Sequence, residues 1–168
     1  TGFSCEEIVV AAEQLMGKDR KDVYVGIINE AYTVEHGDKK WAIDEMHTVS
    51  QYFPKYVDLI DLLGLDIKQI MARIDQCDMI YVVGGSWDYL MKILVVSGVM
   101  QRFEEFMKDR LFVGSSAGAM IVGKRPPADV YGSLYGYGDE DDYGFTNYMN
   151  IVPHCLITHM NETNFDDI

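Results

Sequence analysis

Residues 111–119 read LFVGSSAGA, and this stretch decides the expected fold class and chemistry. Leu111 to Val113 is a short apolar strand, and Gly114 to Gly118 fits the pattern G-x-S-x-G. Residues 117–122 then read as the start of a helix. A strand, a tight glycine turn and a helix in this order are typical of a nucleophile elbow, which lifts a serine hydroxyl above the sheet edge. Ser116 is the candidate nucleophile; the alternative is a glycine-rich turn with a helix-capping serine.

Strand-like and helix-like segments alternate along the rest of the chain. Short apolar, β-branched runs predict strands at 23–28, 57–62, 79–83 and 111–113, with a returning strand at 151–157. Apolar residues at helical spacing predict helices behind a capping box of Ser4 and Glu7, and at 42–53, 67–74, 87–96, 99–107 and 117–122. This alternation predicts an α/β fold, a parallel sheet covered on both faces that binds ligands at its carboxyl edge.

The composition is that of an ordinary globular domain. The chain has 168 residues, of which 48% are hydrophobic and 24% are charged. A formal net charge of −13 disfavours nucleic acid and anionic membranes as partners, and no apolar run approaches the ~20 residues of a membrane span. Three cysteines without CxxC spacing favour a cytoplasmic location and buried thiols over disulfides or structural zinc. We expect no metal or other cofactor.

A serine nucleophile needs a base, because the pKa of its hydroxyl is too high for attack at neutral pH. His36 and His47 lie in polar helical stretches and are expected on the surface. His154 and His159 belong to the returning segment, which could bring either of them to the sheet edge. From the residues alone, each of these two is a candidate base or a structural histidine.

An oxyanion hole requires two backbone N–H groups that point at one position. The amide of Ala117 directly follows the candidate nucleophile. The amide of Gly85 is the second candidate, because the pair Gly84-Gly85 ends the neighbouring predicted strand. The alternative is that this glycine pair forms an ordinary turn.

Residues 126–144 differ in composition from the rest of the chain. Two prolines precede a stretch dense in glycine and tyrosine, and an acidic run follows at 139–142. The segment is either a solvated surface excursion or a lid over the active site.

Three blocks of the sequence resemble the peptidase S51 family, which includes the aspartyl dipeptidases (peptidase E) and the cyanophycinases. Residues 82–86 (VVGGS) match its glycine turn, and residues 114–119 (GSSAGA) match its G-x-SAGA elbow, the most specific part of the resemblance. Residues 153–159 (PHCLITH) match the proline, short apolar strand and catalytic histidine of the family, and this alignment selects His159 over His154. The resemblance extends from Val23 to about Glu162.

The resemblance implies a three-layer α/β/α fold, flavodoxin-like and similar to class I glutamine amidotransferases. It also implies acyl transfer to water, in which Ser116 attacks, His159 shuttles the proton, and the amides of Gly85 and Ala117 hold the oxyanion. The family's first strand has no counterpart in this sequence, and its third triad member, a glutamate, lies beyond the point where the sequence stops. We therefore expect residues 1–168 to be a single catalytic domain that lacks both pieces.

The expected function is that of a serine peptidase acting on short peptides. Aspartyl dipeptidases favour an N-terminal aspartate, which needs a cation in the pocket. Lys124 and Arg125 follow the elbow helix and are the candidate substrate-binding pair, unless they are surface charges at the end of that helix. Two rival functions are an esterase of the α/β-hydrolase type and a non-catalytic binding domain that kept the scaffold. The oligomeric state is open, with a homodimer as one option.

Overall fold

The alternating pattern produces a parallel sheet in the computed structural model, which describes residues 2–127 and 147–159. The strands are β1 (Tyr24–Ile28), β2 (Tyr56–Leu59), β3 (Met79–Val82) and β4 (Leu111–Gly114). The helices are α1 (Glu6–Met16), α2 (Lys40–Tyr52), α3 (Ile67–Ile74), α4 (Trp87–Val96), α5 (Phe103–Met107) and α6 (Ala117–Met120). Single helical turns lie at Arg20–Asp22, Glu30–Tyr32 and Met100–Arg102.

The strand order is β2-β1-β3-β4, and all three pairings are parallel. The register aligns Ile27 with Tyr81 and Tyr81 with Val113. Parallel pairing brings the carboxyl ends of β1, β3 and β4 to one edge of the sheet. Residues that directly follow these strands therefore meet at that edge, although they lie far apart in the chain.

Helices cover both faces of the sheet. On one face, the buried side chains of α3, α4, α5 and α6 pack against alternate strand residues such as Ile80 and Val82. On the other face, α1 and α2 pack against Met79 and Tyr81. Both faces of β3 are buried, which explains why its sequence is a continuous apolar run. The predicted three-layer α/β/α fold is confirmed.

The predicted returning strand at 151–157 is wrong. Residues 147–159 bond instead to the loop that follows α6: the amide of Met149 donates to the carbonyl of Ile121, and the amide of Lys124 donates to the carbonyl of His154. Pro153 has no backbone N–H to offer to a sheet, which disfavours a strand at this point. The β-branched residues of this segment fit the sequence pattern of a strand, but the segment does not pair with β1–β4.

The predicted capping box of Ser4 and Glu7 is also wrong. Helix α1 begins at Glu6, with Cys5 as its N-cap and no capping bond from a side chain. Helix α1 begins later than predicted because Phe3 is buried against Phe53 and Tyr81, and this contact fixes the backbone directly before the helix.

Three smaller expectations have mixed outcomes. The apolar stripe at 99–107 is divided between the turn Met100–Arg102 and α5. Cys77 is buried as expected, whereas Cys5 and Cys155 are exposed. Apart from its two prolines, the segment 126–144 lies outside the described residues, so both interpretations of it stay predictions.

Within the described ranges, no helix has the length and apolar character needed to cross a membrane.

Candidate active site

Ser116 lies at a sharp bend between β4 and α6. Its φ of 47° and ψ of −114° place it in the left-handed region, which a residue with a side chain adopts at a cost of about 1–3 kcal/mol. Hydrogen bonds on both sides hold the bend: the amide of Ser115 donates to the carbonyl of Val82 at 2.9 Å, and the amide of Gly118 donates to the carbonyl of Ser115 at 2.8 Å. A strand, a sharp turn at a serine with positive φ and a helix therefore follow one another here, and this bend is called the elbow below.

The two glycines of the elbow are required by close backbone packing. A Cβ on Gly114 would lie 2.3 Å from the carbonyl group of Gly118, and a Cβ on Gly118 would lie 2.4 Å from the carbonyl oxygen of Val82. Real Cβ atoms do not approach other atoms this closely. The motif G-x-S-x-G therefore reflects the packing of α6 directly against β3 and β4.

His159 is the histidine that the fold brings to Ser116. The distance between Ser116 Oγ and His159 Nε2 is 2.8 Å, although the two residues are 43 positions apart in the chain. His159 has a φ of 63°, and the preceding Thr158 is buried, with its hydroxyl 3.4 Å from the sulfur of Met120. The contact with α6 thus positions the end of the returning segment at the elbow.

The other three histidines are exposed. His36 and His47 lie on the surface as predicted. His154 is also exposed, and its backbone carbonyl accepts the hydrogen bond from Lys124 in the loop after α6. Of the two histidines left open by the residues alone, the structure brings His159 to the serine.

The glycine turn after β3 lies directly against the elbow. A Cβ on Gly84 would be 2.9 Å from the Cβ of Ser116, and Gly85 has a φ of 134°, which favours glycine. The amide of Ser86 donates to the carbonyl of Ala31 at 2.9 Å and holds the turn in place. Among the described residues, no hydrogen bond engages the amides of Gly85 and Ala117, the two predicted oxyanion donors.

The sequence model of peptidase family S51 matches residues 28–168, which include the elbow, the glycine turn and the histidine. The chain belongs to this family. Relatives include uncharacterized peptidases of Listeria monocytogenes, 29% identical over 115 residues, and of Pasteurella multocida, 28% identical over 83 residues. These matches cover 67% and 49% of this chain, and 54% and 40% of the relatives. The chain therefore spans about half the length, or less, of these relatives.

The fold of this S51 chain is also that of a solved structure. A protein of Listeria monocytogenes EGD-e, provisionally assigned as a peptidase E, superposes with a TM-score of 0.72 at 23% sequence identity. The superposition covers 95% of this chain and 77% of the other. At this level of identity the likeness establishes the shared fold.

The candidate substrate-binding cations of this S51 chain line one cavity. The cavity has a volume of about 560 Å³, and its lining includes Lys124, Arg125, Pro126, Asn147, Tyr148 and Asn150. Arg125 also pairs with Asp88, whose carboxylate is buried in the first turn of α4 at 3.4 Å from the guanidinium. This pairing partly offsets the positive charge of Arg125, whereas Lys124 is exposed.

Sequence reasoning missed the polar residues beneath the elbow. Tyr81 and Ser115 lie inside runs that read as apolar strand and glycine turn, and Glu45 lies in a helix of mixed polarity. A tyrosine in an otherwise aliphatic strand was the one available signal, because a buried tyrosine usually needs a hydrogen-bond partner. Within the described part of the chain, no cluster of three or more histidine, cysteine or acidic residues is suited to hold a metal ion.

Proposed function

We propose that this chain is the catalytic part of a serine-type peptidase, with Ser116 as nucleophile and His159 as general base. The observation that carries the proposal is the 2.8 Å separation of Oγ and Nε2 at a left-handed bend. A nucleophile within hydrogen-bonding reach of a base is the geometric requirement for this chemistry.

The proposed reaction has two stages. His159 Nε2 accepts the proton of the Ser116 hydroxyl while Oγ bonds to the carbonyl carbon of the substrate, and the amides of Gly85 and Ala117 donate to the resulting oxyanion. The protonated imidazole then gives its proton to the leaving amine as the C–N bond breaks, which leaves an acyl-serine. A water molecule, deprotonated by the same imidazole, attacks the ester and releases the acid.

The proposed substrates are short peptides, including dipeptides with an N-terminal aspartate. Lys124 supports an acidic preference, because this basic residue lines the cavity that follows the elbow helix. The net charge of −13 repels acidic substrates at long range, so the attraction must be local to this cavity.

The first experiment is labelling with a fluorophosphonate together with hydrolysis of a panel of dipeptides that begin with Asp, Ala or Lys. The Ser116→Ala variant should neither label nor hydrolyse, and His159→Ala should lose on the order of 10⁴-fold in rate, because each removes a member of the proton-transfer pair. Ser97→Ala is the matched control: this serine follows α4, its hydroxyl donates to Leu94, and the variant should label like the native chain.

The outcomes separate the rival functions. A chain that cleaves p-nitrophenyl esters and leaves every dipeptide intact is an esterase. A native chain that never labels is a binding domain, and this result contradicts the proposal. A larger loss of activity in His154→Ala than in His159→Ala would show that His154, and not His159, is the base.

A further inference from the structure

Tyr81 carries a hydroxyl into the core between the sheet and α2. Its side chain is fully buried, and its hydroxyl donates to Glu45 Oε1 of α2 at 2.5 Å. Phenylalanine would fill the same volume without a polar atom. A buried hydroxyl that keeps its hydrogen bonds costs little, whereas one that loses a partner costs about 1–3 kcal/mol. The position of this hydroxyl therefore needs an explanation beyond packing.

The strand register places Tyr81 next to the elbow. Tyr81 pairs with Val113, and Ser115 lies two residues farther along the same strand direction, so that its side chain is on the same face as Tyr81. Diagonal neighbours of this kind lie within reach of an aromatic side chain. Ser115 is buried, and its hydroxyl and the phenolic oxygen lie close to each other: both are within 3.1 Å of the position that a Cβ on Gly2 would take.

The phenol donates to the carboxylate of Glu45, and the Ser115 hydroxyl lies beside its oxygen. Burial raises the pKa of Tyr81, and the negative charge of Glu45 and the hydrogen bond to it raise this pKa further, so the phenol stays protonated. Its proton is directed at Glu45, so only the lone pairs of its oxygen remain for the neighbouring Ser115 hydroxyl.

We infer that Glu45, Tyr81 and Ser115 form a positioning chain that holds Ser116 in its left-handed conformation. The inference rests on the proposed function, because it assigns these residues the task of presenting the nucleophile. Ser115 precedes the strained residue directly, so anchoring its side chain restricts rotation at the bend from the strand side. A displacement of about 1 Å at the reacting atoms can cost about 100-fold in rate.

Gly2 adds an independent constraint on the same group. Its φ of 66° is left-handed, and a Cβ at this position would lie 2.2 Å from the Tyr81 hydroxyl and 3.1 Å from Ser115 Oγ. The chain entering the domain therefore closes over the hydroxyl pair and shields it from water. Hydrogen bonds in such a dry environment are stronger and more directional than in water.

The central test is the Tyr81→Phe variant, assayed for hydrolysis and for the rate of fluorophosphonate labelling. We expect kcat and the labelling rate to fall together, by about ten- to a hundredfold, with KM within about twofold of the native value. Ile74→Val is the matched control: Ile74 is buried in α3 on the opposite face of the sheet, and the change lowers stability by about 1 kcal/mol without touching the elbow.

A pair of substitutions at Glu45 tests the direction of the hydrogen bonds. Glu45→Gln keeps a carbonyl acceptor for the phenol, whereas Glu45→Met removes it and retains helix propensity. The glutamine variant should recover most of the kcat lost in the methionine variant. Equal losses in the two variants, or a kcat that tracks melting temperature across all variants and the Ile74→Val control, overturn the inference.

Amide hydrogen exchange separates this inference from the proposed function. In Tyr81→Phe, exchange across residues 114–120 should become at least about tenfold faster, while exchange in β1 stays unchanged, because only the bend loses its anchor. This readout needs no catalysis, so it decides the positioning role even if the native chain proves inactive. Unchanged exchange at 114–120 overturns the inference.

Discussion

Ser116 occupies a backbone conformation that the surrounding residues must enforce. The left-handed φ is maintained because Ser115 continues the β3–β4 ladder on one side and α6 starts on the other. This conformation requires the backbones of α6 and β3 to lie in close contact. Gly118 permits the contact, because a Cβ at this position would lie only 2.4 Å from the carbonyl oxygen of Val82.

The Gly118→Ala variant should therefore lose activity in addition to stability. We expect a cost of about 1–3 kcal/mol, since the backbone must shift to admit the methyl group, and at least about a 100-fold loss of hydrolysis. Urea unfolding and the dipeptide assay measure the two effects. Gly17→Ala is the control: Gly17 has a φ of 61° with open space around it, so alanine there costs about 1–2 kcal/mol and leaves hydrolysis intact. Equal activity in the two variants would show that the elbow tolerates displacement.

At the scale of elements, Glu30 ties the carboxyl ends of β1 and β2 together. It begins the turn after β1, and its buried carboxylate accepts from the amides of Leu62 at 2.5 Å and Asn29 at 3.1 Å. The next residue, Ala31, supports the glycine turn through its bond to Ser86. Burial raises the pKa of Glu30, although the two N–H donors favour its charged form.

The Glu30→Gln variant tests this balance by its pH dependence. Glutamine should cost about 1–3 kcal/mol, because its NH₂ group faces a backbone N–H. Because the pKa of Glu30 is raised in the folded state, the protonated side chain stabilises the native fold relative to the unfolded chain. This stabilisation is lost as the pH rises above the ordinary glutamate pKa of about 4.3. The deficit of the variant should therefore shrink between pH 4.5 and pH 7.5 in urea unfolding. A deficit that grows with pH would show that the N–H donors outweigh burial.

At the scale of the whole molecule, Cys77 reports on the integrity of the core. It is buried beside β1, where a Cβ on Gly26 would lie 3.0 Å from its sulfur, and burial raises the pKa of its thiol to about 12. Cys5 and Cys155 are exposed. A thiol reacts in its thiolate form and must be accessible to the reagent. Cys77 is buried, and its raised pKa keeps it in the unreactive thiol form at pH 8.

Thiol titration with a disulfide reagent at pH 8 should therefore count two groups in the folded chain and a third only on unfolding. The slow third group should disappear in Cys77→Ala. Since Cys77 lies in the core that α3–α6 share with the sheet, its labelling rate measures opening of that face. Three thiols that react at one rate would contradict the closed packing.

The sequence predicted most elements because their signals are local. The apolar run at 79–83 and the glycine pair that ends it indicated β3 and its turn, and residues 87–96 were identified as a helix with the bounds that α4 has. The capping box at Ser4 failed because burial of Phe3, a contact with distant residues, decided where α1 begins. The strand at 151–157 failed because a β-branched run forms a strand only where a partner edge accepts it.

By itself, the sequence predicted the sharp bend between β4 and α6, since G-x-S-x-G between a strand and a helix is a local pattern with a local steric cause. The tertiary structure decided which groups meet there. Spacing could not distinguish His154 from His159, and only the family resemblance selected the residue that lies 2.8 Å from Ser116. Tyr81 and Ser115 meet through strand register, and Glu45 joins them through helix packing. Such contacts depend on how separate elements align in space, which no local pattern of residues encodes.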